Sequence, residues 1–242
     1  MATNGHKEPV LSLRNIVKRF GGLTAVKDVD LDVSAGEVVG LVGDNGAGKS
    51  TLIKCISGVY HPEEGQIIFQ GNPAHFPRPI DARDAGIETI YQDLALAGNL
   101  NVGANIFLGR EIRKSSLGGL IKTLNNKYMT AEAKKVVESL DIHLPNYEQQ
   151  INNLSGGQRQ SVAIARAVYW DAKMMIMDEP TNNLGVPEQR KVLEIIRTLR
   201  ERQVPVILIS HTLPDVFEVA DRIVIMHRGR KVADKRVDET NS

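Results

Sequence analysis

One segment constrains the fold more than any other, a glycine-rich run between a predicted buried strand and a predicted helix. Residues 43–51 have the sequence GDNGAGKST, which contains the pattern GxxxxGKS. The continuous apolar run at 38–42 is typical of a strand buried on both faces. Residues 51–57 have the spacing of a short helix that Gly58 ends. In this context backbone N–H groups turn toward phosphate oxygens at the positive end of a helix, so the sequence predicts a phosphate-binding loop.

Strand and helix signals alternate along the rest of the chain. Short apolar runs or alternating apolar residues predict strands at 29–33, 87–91, 174–177, 206–209 and 223–226. A helix is predicted from Pro187, and the last strand continues into a hairpin that ends near Ala233. Strands that alternate with helices predict an α/β fold with a parallel sheet covered on both sides. Residues 93–168 lose the strand pattern and show helical spacing, which predicts an inserted helical subdomain.

The composition limits the setting and the partners. The chain has 30 basic and 29 acidic residues, so its formal net charge of +1 gives no field that would hold nucleic acid. Its single cysteine, Cys55, excludes an internal disulfide, and no run approaches the ~18 apolar residues of a membrane span. The N-terminus lacks the apolar core of a secretory signal. We therefore expect a cytoplasmic setting, no nucleic-acid partner, and contact with a membrane only through another protein.

An acidic pair follows the apolar run at 174–177. Asp178 and Glu179 precede Pro180, which disfavours a helical conformation at Glu179 and should keep both carboxylates at the mouth of the strand. A carboxylate there can hold magnesium together with the Ser50 hydroxyl, while its neighbour orients or deprotonates the attacking water. Lys49 should reach the outer phosphates of the nucleotide. The competing interpretation of the pair is a solvated acidic surface.

A second anion-binding signature narrows the function. The phosphate loop alone leaves small GTPases, kinases and recombination-type ATPases open, because it shows only that a nucleotide binds. Residues 154–158 have the sequence LSGGQ, in which Ser155 is a good N-cap for a helix through Val168. A GTPase would carry an NKxD motif, but residues 126–129 are NKYM and lack the aspartate.

These motifs, in this order, resemble the ATP-binding cassette family, and the resemblance runs from about Val10 to Val237. It implies an α/β P-loop NTPase fold of the ABC type, with a RecA-like core, an antiparallel β subdomain and an inserted helical subdomain. The implied ATPase domain spans 8–238, with 8–92 and 169–238 in the core and β subdomain, and 93–168 in the helical subdomain.

The resemblance also implies roles for individual residues. Glu179, His211 and Gln92 would be catalytic, His211 as the switch histidine and Gln92 at the junction of core and helical subdomain. The magnesium ligands would be Ser50, Gln92 and Asp178. The nucleotide contacts would be Phe20 (stacked on adenine), Val26, Gly43, Asp44, Asn45, Gly46, Ala47, Gly48, Lys49, Ser50, Thr51, Ser155, Gly156, Gly157 and Gln158. Seen alone, Phe20 fits core packing, Gln92 a polar loop residue and His211 a histidine satisfied after a strand.

In the family, the signature serine and glycines contact the γ-phosphate bound by the opposite subunit, so Ser155, Gly156 and Gly157 would act in trans within a homodimer. The stretches 81–94 and 101–111 look like the ATPases of bacterial monosaccharide importers of the ribose or fructose type. The implied partners are a second copy, a transmembrane permease that docks near 93–111 and, indirectly, a periplasmic sugar-binding protein. ATP and Mg²⁺ are the implied cofactors, at the cytoplasmic face of the inner membrane.

One departure from the family pattern concerns the loop after Thr181. Many cassettes carry an aspartate four positions beyond this threonine, in the loop that communicates between subunits, whereas this chain has Gly185. Other interpretations stay open: a soluble cassette ATPase in DNA repair or translation, a cassette of another transport system or an exporter, and a nucleotide-binding regulator without turnover. The first would carry a long coiled coil or a charged linker between cassettes, and neither is present.

Overall fold

The computed structural model describes residues 8–116 and 121–239. The strands within this part of the chain are β1 (Leu11–Phe20), β2 (Leu23–Val33), β3 (Val38–Val42), β4 (Glu64–Phe69), β5 (Asn72–Ala74), β6 (Ile87–Ile90), β7 (Arg113–Ser116), β8 (Ile121–Leu124), β9 (Met174–Asp178), β10 (Val206–Ile209), β11 (Arg222–His227) and β12 (Arg230–Arg236). The helices are α1 (Lys49–Ile56), α2 (Pro79–Asp84), α3 (Val102–Ile106), α4 (Asn126–Ser139), α5 (Gly156–Tyr169), α6 (Val186–Glu201) and α7 (Leu213–Val219).

The chain divides into two units. The sheet unit comprises the described residues of 1–92, 173–180 and 196–242, and the helical unit comprises those of 93–172 and 181–195. The domain boundaries expected from the sequence, with a helical subdomain at 93–168, stay a prediction.

A six-stranded sheet forms the centre of the sheet unit. Its order is β12-β11-β3-β10-β9-β6, with β12 antiparallel to β11 and the other neighbours parallel. Every residue of β3 and β10 is buried, which confirms the prediction from their continuous apolar runs. Ile209 pairs with Leu41 on one side and with Asp178 on the other. The carboxyl ends of β3, β9 and β10 are therefore level, and the segments that follow them share one edge of the sheet.

A four-stranded antiparallel sheet with the order β2-β1-β4-β5 completes the sheet unit. One hydrophobic cluster joins the two sheets and α1, with Leu13, Leu31 and Ile67 from the antiparallel sheet and Leu41 and Ile53 from β3 and α1. The register of β1 shifts between Leu13 and Ile16, where Asn15 has a φ of 50°. A strand at 11–20 was not predicted from the sequence, because this irregularity interrupts the alternation of apolar residues.

The helical unit packs α3, α4 and α5 together. The predicted apolar face of α4 is confirmed, since Ala133, Val136 and Val137 are buried and Leu140 directly after the helix is buried too. The expectation that 93–168 lacks strands is wrong, because β7 and β8 pair there as an antiparallel hairpin. Both strands are short and rich in polar residues, so they carry no apolar alternation. Within residues 8–116 and 121–239, no helix is long and apolar enough to cross a membrane.

Candidate functional site

Backbone hydrogen bonds connect the glycine-rich loop between β3 and α1 to the turn that joins β11 to β12. Ala47 accepts a hydrogen bond from the amide of Gly229 (2.9 Å), and Gly229 accepts one from the amide of Lys27 (2.8 Å). Gly48 directly before α1 has a φ of 103°, and a Cβ atom there would lie 2.5 Å from the carbonyl oxygen of Ala25. Glycine is therefore required at 48 both by the backbone conformation and by this close approach.

The Lys49 side chain folds back onto the glycine-rich loop that precedes α1. Lys49 is 6% exposed, and Nζ donates hydrogen bonds to the carbonyl oxygens of Gly43 (2.5 Å) and Asp44 (3.1 Å). An ammonium group has three donors, so one is left for a ligand. The first N–H groups of α1, from Lys49 to Thr51, have no acceptor within the helix. A positive charge and free amide donors thus meet at one helix end, which is the arrangement that binds phosphate.

A cleft of about 450 Å³ in the sheet unit opens over this loop. The structure brings twelve of the predicted site residues to its walls: Phe20, Asn45, Gly46, Ala47, Gly48, Lys49, Ser50, Thr51, Gln92, Asp178, Glu179 and His211. These residues come from five regions of the chain. Phe20 ends β1 of the antiparallel sheet, and the others meet because β3, β6, β9 and β10 end at the same edge of the six-stranded sheet. Leu23, Ala25 and Ile209 also line the cleft, and the sequence analysis missed them.

Three predicted nucleotide contacts lie elsewhere in the sheet unit. Val26 is fully buried in the hydrophobic cluster, so its side chain does not reach the cleft. Successive residues of a strand face opposite sides, and the alternation of β2 instead presents Leu23 and Ala25 to the cleft. Gly43 and Asp44 line a neighbouring cavity of about 550 Å³ that also contacts Ser210 and His211. The assignment of Val26 is corrected, and the alternation of β2 was the available signal.

Asp178 closes β9 at the floor of the cleft. Burial raises the pKa of its carboxyl group, while the positive charges of Lys49 and Lys54 act in the opposite direction. A partly desolvated carboxylate beside the Ser50 hydroxyl and the Gln92 amide is a set of hard oxygen donors. Among the described residues no group of three or more His, Cys, Asp or Glu side chains could hold a metal ion.

Glu179 has an unusual backbone conformation. Its φ is 54°, and its amide donates to the carbonyl oxygen of Ile209 at 2.9 Å. The prediction that Pro180 keeps Glu179 out of the right-handed helical region is confirmed, although the left-handed conformation was not foreseen. Non-glycine residues in this region are uncommon and concentrate at functional sites.

The two oxygens of the Glu179 carboxylate differ in their hydrogen bonds. Oε2 accepts a hydrogen bond from the backbone amide of His211 at 3.3 Å. Oε1 lies 3.2 Å from His211 Nε2, but the pair lacks the alignment of a hydrogen bond, and no other group in the described part of the chain donates to Oε1. One oxygen thus fixes the side chain, and the other keeps its lone pairs for a proton from water.

The rim of the cleft carries Phe20 and Gln92. Phe20 ends β1 with 42% of its surface exposed, and its ring contacts the Tyr60 ring edge to face at a centroid distance of 5.1 Å. Lys18 Nζ lies over the same ring at 5.3 Å from its centroid, and the exposed part of the ring lines the cleft, where an aromatic side chain can stack on a planar ligand. Gln92 is exposed two residues after β6.

The LSGGQ segment lies in the helical unit, where Ser155 caps α5. Ser155 Oγ accepts a hydrogen bond from the amide of Gln158 (3.2 Å), and Gln158 Oε1 accepts one from the amide of Ser155 (2.9 Å). The predicted N-cap is therefore confirmed, and the structure adds a reciprocal capping box. Gly156 and Gly157 open the helix, where their amides have no acceptor within it.

Replacing Ser155 by alanine should lower the free energy of unfolding by about 1 kcal/mol, because the Gln158 amide loses its acceptor. Chemical denaturation of the full-length chain measures the change. Ser155→Thr is the matched control, since it keeps an acceptor oxygen and should stay closer to the wild type. A Ser155→Ala chain as stable as the wild type would mean that the capping box contributes nothing.

Residues 26–182 match the family model described as ABC transporter. A xylose/arabinose import ATP-binding protein of Sulfolobus acidocaldarius is 49% identical over 232 residues, which cover 96% of this chain and 90% of the relative. A fructose import ATP-binding protein of Rhizobium meliloti is 49% identical over 228 residues, with coverages of 93% and 88%. The crystal structure of the ADP conformation of an ATP-binding cassette superposes with a TM-score of 0.80 at 28% identity, covering 95% of this chain and 92% of that one.

Proposed function

The chain belongs to the ABC transporter family, and from this premise we propose that it is the ATP-binding and ATP-hydrolysing subunit of a monosaccharide importer. The observation that carries the proposal is the cleft over the glycine-rich loop, where Lys49, Asp178 and Glu179 meet. The loop would hold the phosphates, and Phe20 at the rim would stack on adenine. The solved cassette in its ADP conformation supports a nucleotide at such a site.

Ser50, Gln92 and Asp178 would hold the Mg²⁺ ion that accompanies ATP. All three line the cleft and offer oxygen donors of different kinds, and magnesium in ATPases is typically bound by one or two side chains together with substrate phosphates. When bound, the ion would neutralise the negative charge that develops on the phosphate oxygens during phosphoryl transfer.

Hydrolysis would then depend on the residues around Glu179. Its Oε1 has no hydrogen-bond donor among the described residues and can accept a proton from the attacking water. The backbone amide of His211 fixes the other oxygen, so Glu179 is oriented before ATP arrives. His211 Nε2 lies 3.2 Å from Oε1 and would contact the same water or the γ-phosphate. Lys49, with one free donor, would stabilise the outer phosphates.

A second copy of the chain would complete each site. The phosphate loop lies in the sheet unit and the LSGGQ segment in the helical unit, so one copy carries two separate phosphate-facing helix ends. In a head-to-tail dimer each ATP would lie between the loop of one copy and Ser155, Gly156, Gly157 and Gln158 of the other. ATP would then hold the dimer closed, and hydrolysis would allow it to open.

The monosaccharide cargo rests on the relatives, one named for import of xylose and arabinose and one for import of fructose. We propose a permease as the membrane partner, docked near residues 93–111, with a periplasmic sugar-binding protein upstream of it. The chain would then work as a peripheral subunit at the cytoplasmic face of the membrane, and the sugar would never contact it.

Uptake of labelled sugars by cells that lack this chain tests the cargo. We expect loss of uptake of at least one of ribose, fructose, xylose, arabinose and galactose. Wild-type protein should restore uptake, and the Glu179→Gln variant should not, because uptake would require hydrolysis. Normal uptake of every sugar in the deleted strain would contradict the importer proposal while leaving ATP hydrolysis untouched.

A further inference from the structure

One side chain of the helical unit, that of Glu188, contacts two glycines in different segments. Glu188 lies in the first turn of α6. A Cβ atom at Gly157 in the LSGGQ segment would lie 2.5 Å from Glu188 Cγ and 2.7 Å from Glu188 Cβ. A Cβ atom at Gly185, in the loop before α6, would lie 2.7 Å from Glu188 Oε2. The stem of this glutamate therefore fills the space above one glycine, and its carboxylate fills the space above the other.

The backbone does not demand glycine at either position. Neither Gly157 nor Gly185 has a φ in the left-handed region, and Gly157 belongs to the regular helix α5. Any residue adopts such conformations, so conformational freedom does not account for these glycines. The stem of Glu188 leaves no room for a side chain at Gly157, whereas at Gly185 the space is occupied by the carboxylate end of Glu188, which can rotate away.

Further contacts hold the loop 182–185 against the LSGGQ segment. A Cβ atom at Gly156 would lie 2.9 Å from Leu184 Cδ2. The Gln189 side chain donates to the carbonyl oxygen of Leu184 at 3.1 Å, and the Gln189 amide donates to the carbonyl oxygen of Gly185 at 2.9 Å. The loop, the start of α6 and the start of α5 therefore form one packed cluster, with Glu188 at its centre.

The Glu188 carboxylate has no partner within the described part of its own chain. The side chain is half-buried and borders a cavity of about 400 Å³ together with Ser155, Gln158 and Lys191. Lys191, which lies three residues further along α6 and borders the same cavity, is paired with Asp141 (3.0 Å) and Glu194 (3.3 Å). The Glu188 oxygens are not among the buried unpaired atoms of the described residues, so solvent reaches them, and a donor from another chain could form a strong charge-assisted hydrogen bond with them.

We propose that Glu188 is a positioning residue, which fixes the loop 182–185 against the LSGGQ segment and offers its carboxylate to a hydrogen-bond donor on the second copy. The inference rests on the proposed function, because the second copy is part of that function. The loop 182–185 has no carboxylate of its own, and Glu188 Oε2 lies in the space that a side chain at Gly185 would enter. Glu188 thus supplies from α6 the carboxylate that the loop itself lacks.

Four variants of the full-length chain test this role: Glu188→Ala, Glu188→Gln, Gly185→Asp, and the double variant Glu188→Ala/Gly185→Asp. The exposed Glu201 at the far end of α6 provides the control Glu201→Gln. Three quantities are measured: the ATP affinity of the monomer, kcat for ATP hydrolysis, and the dissociation constant of the ATP-bound dimer in a Glu179→Gln background. The ATP affinity of the monomer reports on the phosphate loop in the sheet unit. The kcat and the dimer dissociation constant report on the association of two copies.

Glu188→Ala and Glu188→Gln should raise the dimer dissociation constant about tenfold and lower kcat to match, while monomer ATP affinity stays at the wild-type value. Gly185→Asp alone should also weaken the dimer, since two carboxylates would compete for one space. The double variant should recover most of the loss, because its single aspartate returns a carboxylate to that space. Glu201→Gln should behave as the wild type.

Two results would overturn the inference. One is a Glu188→Ala dimer as tight and as active as the wild type. The other is a loss of dimer affinity and kcat in Glu188→Ala that the double variant does not recover, together with a fall in melting temperature of the same variants. Glu188 would then only stabilise the N-terminal end of α6. A wild-type chain that stays monomeric with ATP would instead contradict the proposed function, and this inference with it.

Discussion

Replacing Lys49 by alanine should raise the dissociation constant for ATP about 100-fold, which corresponds to about 2.7 kcal/mol of binding free energy. Lys49 Nζ is held on the loop by the carbonyl oxygens of Gly43 and Asp44, so its charge is already in place when the phosphates arrive. Removing it takes away the cationic donor of the loop and leaves only the backbone amides. Calorimetric titration of the full-length chain with ATP measures the change directly.

Two further variants make this result specific. Lys49→Met removes the charge but keeps more of the buried stem, and it should lose affinity to a similar extent without a large change in melting temperature. Lys127→Ala removes an exposed lysine of α4 and should leave ATP affinity unchanged. If Lys49→Ala and Lys49→Met bound ATP as tightly as the wild type, the loop would not be the phosphate site.

Replacing Glu179 by glutamine should lower kcat for ATP hydrolysis by about 10²- to 10⁴-fold, the usual contribution of a general base. In the glutamine the amide oxygen can keep accepting the hydrogen bond from the His211 amide, which puts the NH₂ group in the place of Oε1, where it cannot take the proton of the attacking water. Affinity for ATP should stay close to the wild-type value, because the phosphate loop is intact. A phosphate-release assay and a nucleotide titration on the same preparation separate the two effects.

The same variant should also remain dimeric with ATP, since hydrolysis is what reopens the dimer in the proposed cycle. Analytical ultracentrifugation with and without Mg²⁺-ATP measures this. Hydrolysis by Glu179→Gln at the wild-type rate would show that another residue activates water, and the positive φ of Glu179 would then need a different explanation.

The parts of the fold that follow from the sequence are those with strong local signals. The bounds of β3 and β10 match the predicted apolar runs, because strands buried on both faces tolerate only apolar residues. The helix α1 begins at Lys49, where a phosphate-binding helix is expected to start, although its apolar spacing is evident only from Thr51, and Gly48 before it is left-handed. Conformation at a glycine is set by tertiary contacts, here with Ala25, which the local sequence does not reveal.

The candidate site was only partly predictable for the same reason. Residues with a chemical signature, such as Lys49, Asp178 and Glu179, could be named from their motifs, and the sheet edge brings them together. Val26 was misplaced because the face of β2 that turns toward the cleft depends on its pairing with β1. The contact between Glu188 and Gly157 joins residues 31 positions apart in α5 and α6, and nothing local in either helix indicates it.

The central claim is that two copies of the chain share each ATP, and mixing two inactive variants tests it most directly. Lys49→Ala damages the phosphate loop, and Ser155→Arg blocks the LSGGQ segment. Each variant alone should release almost no phosphate. In a mixed dimer, the loop of the Ser155→Arg copy meets the LSGGQ segment of the Lys49→Ala copy, so one intact site forms. We predict that an equimolar mixture recovers about a quarter of the wild-type activity, the statistical share of intact sites in a twofold dimer. A mixture of folded variants that stays as inactive as each variant alone would contradict the shared site.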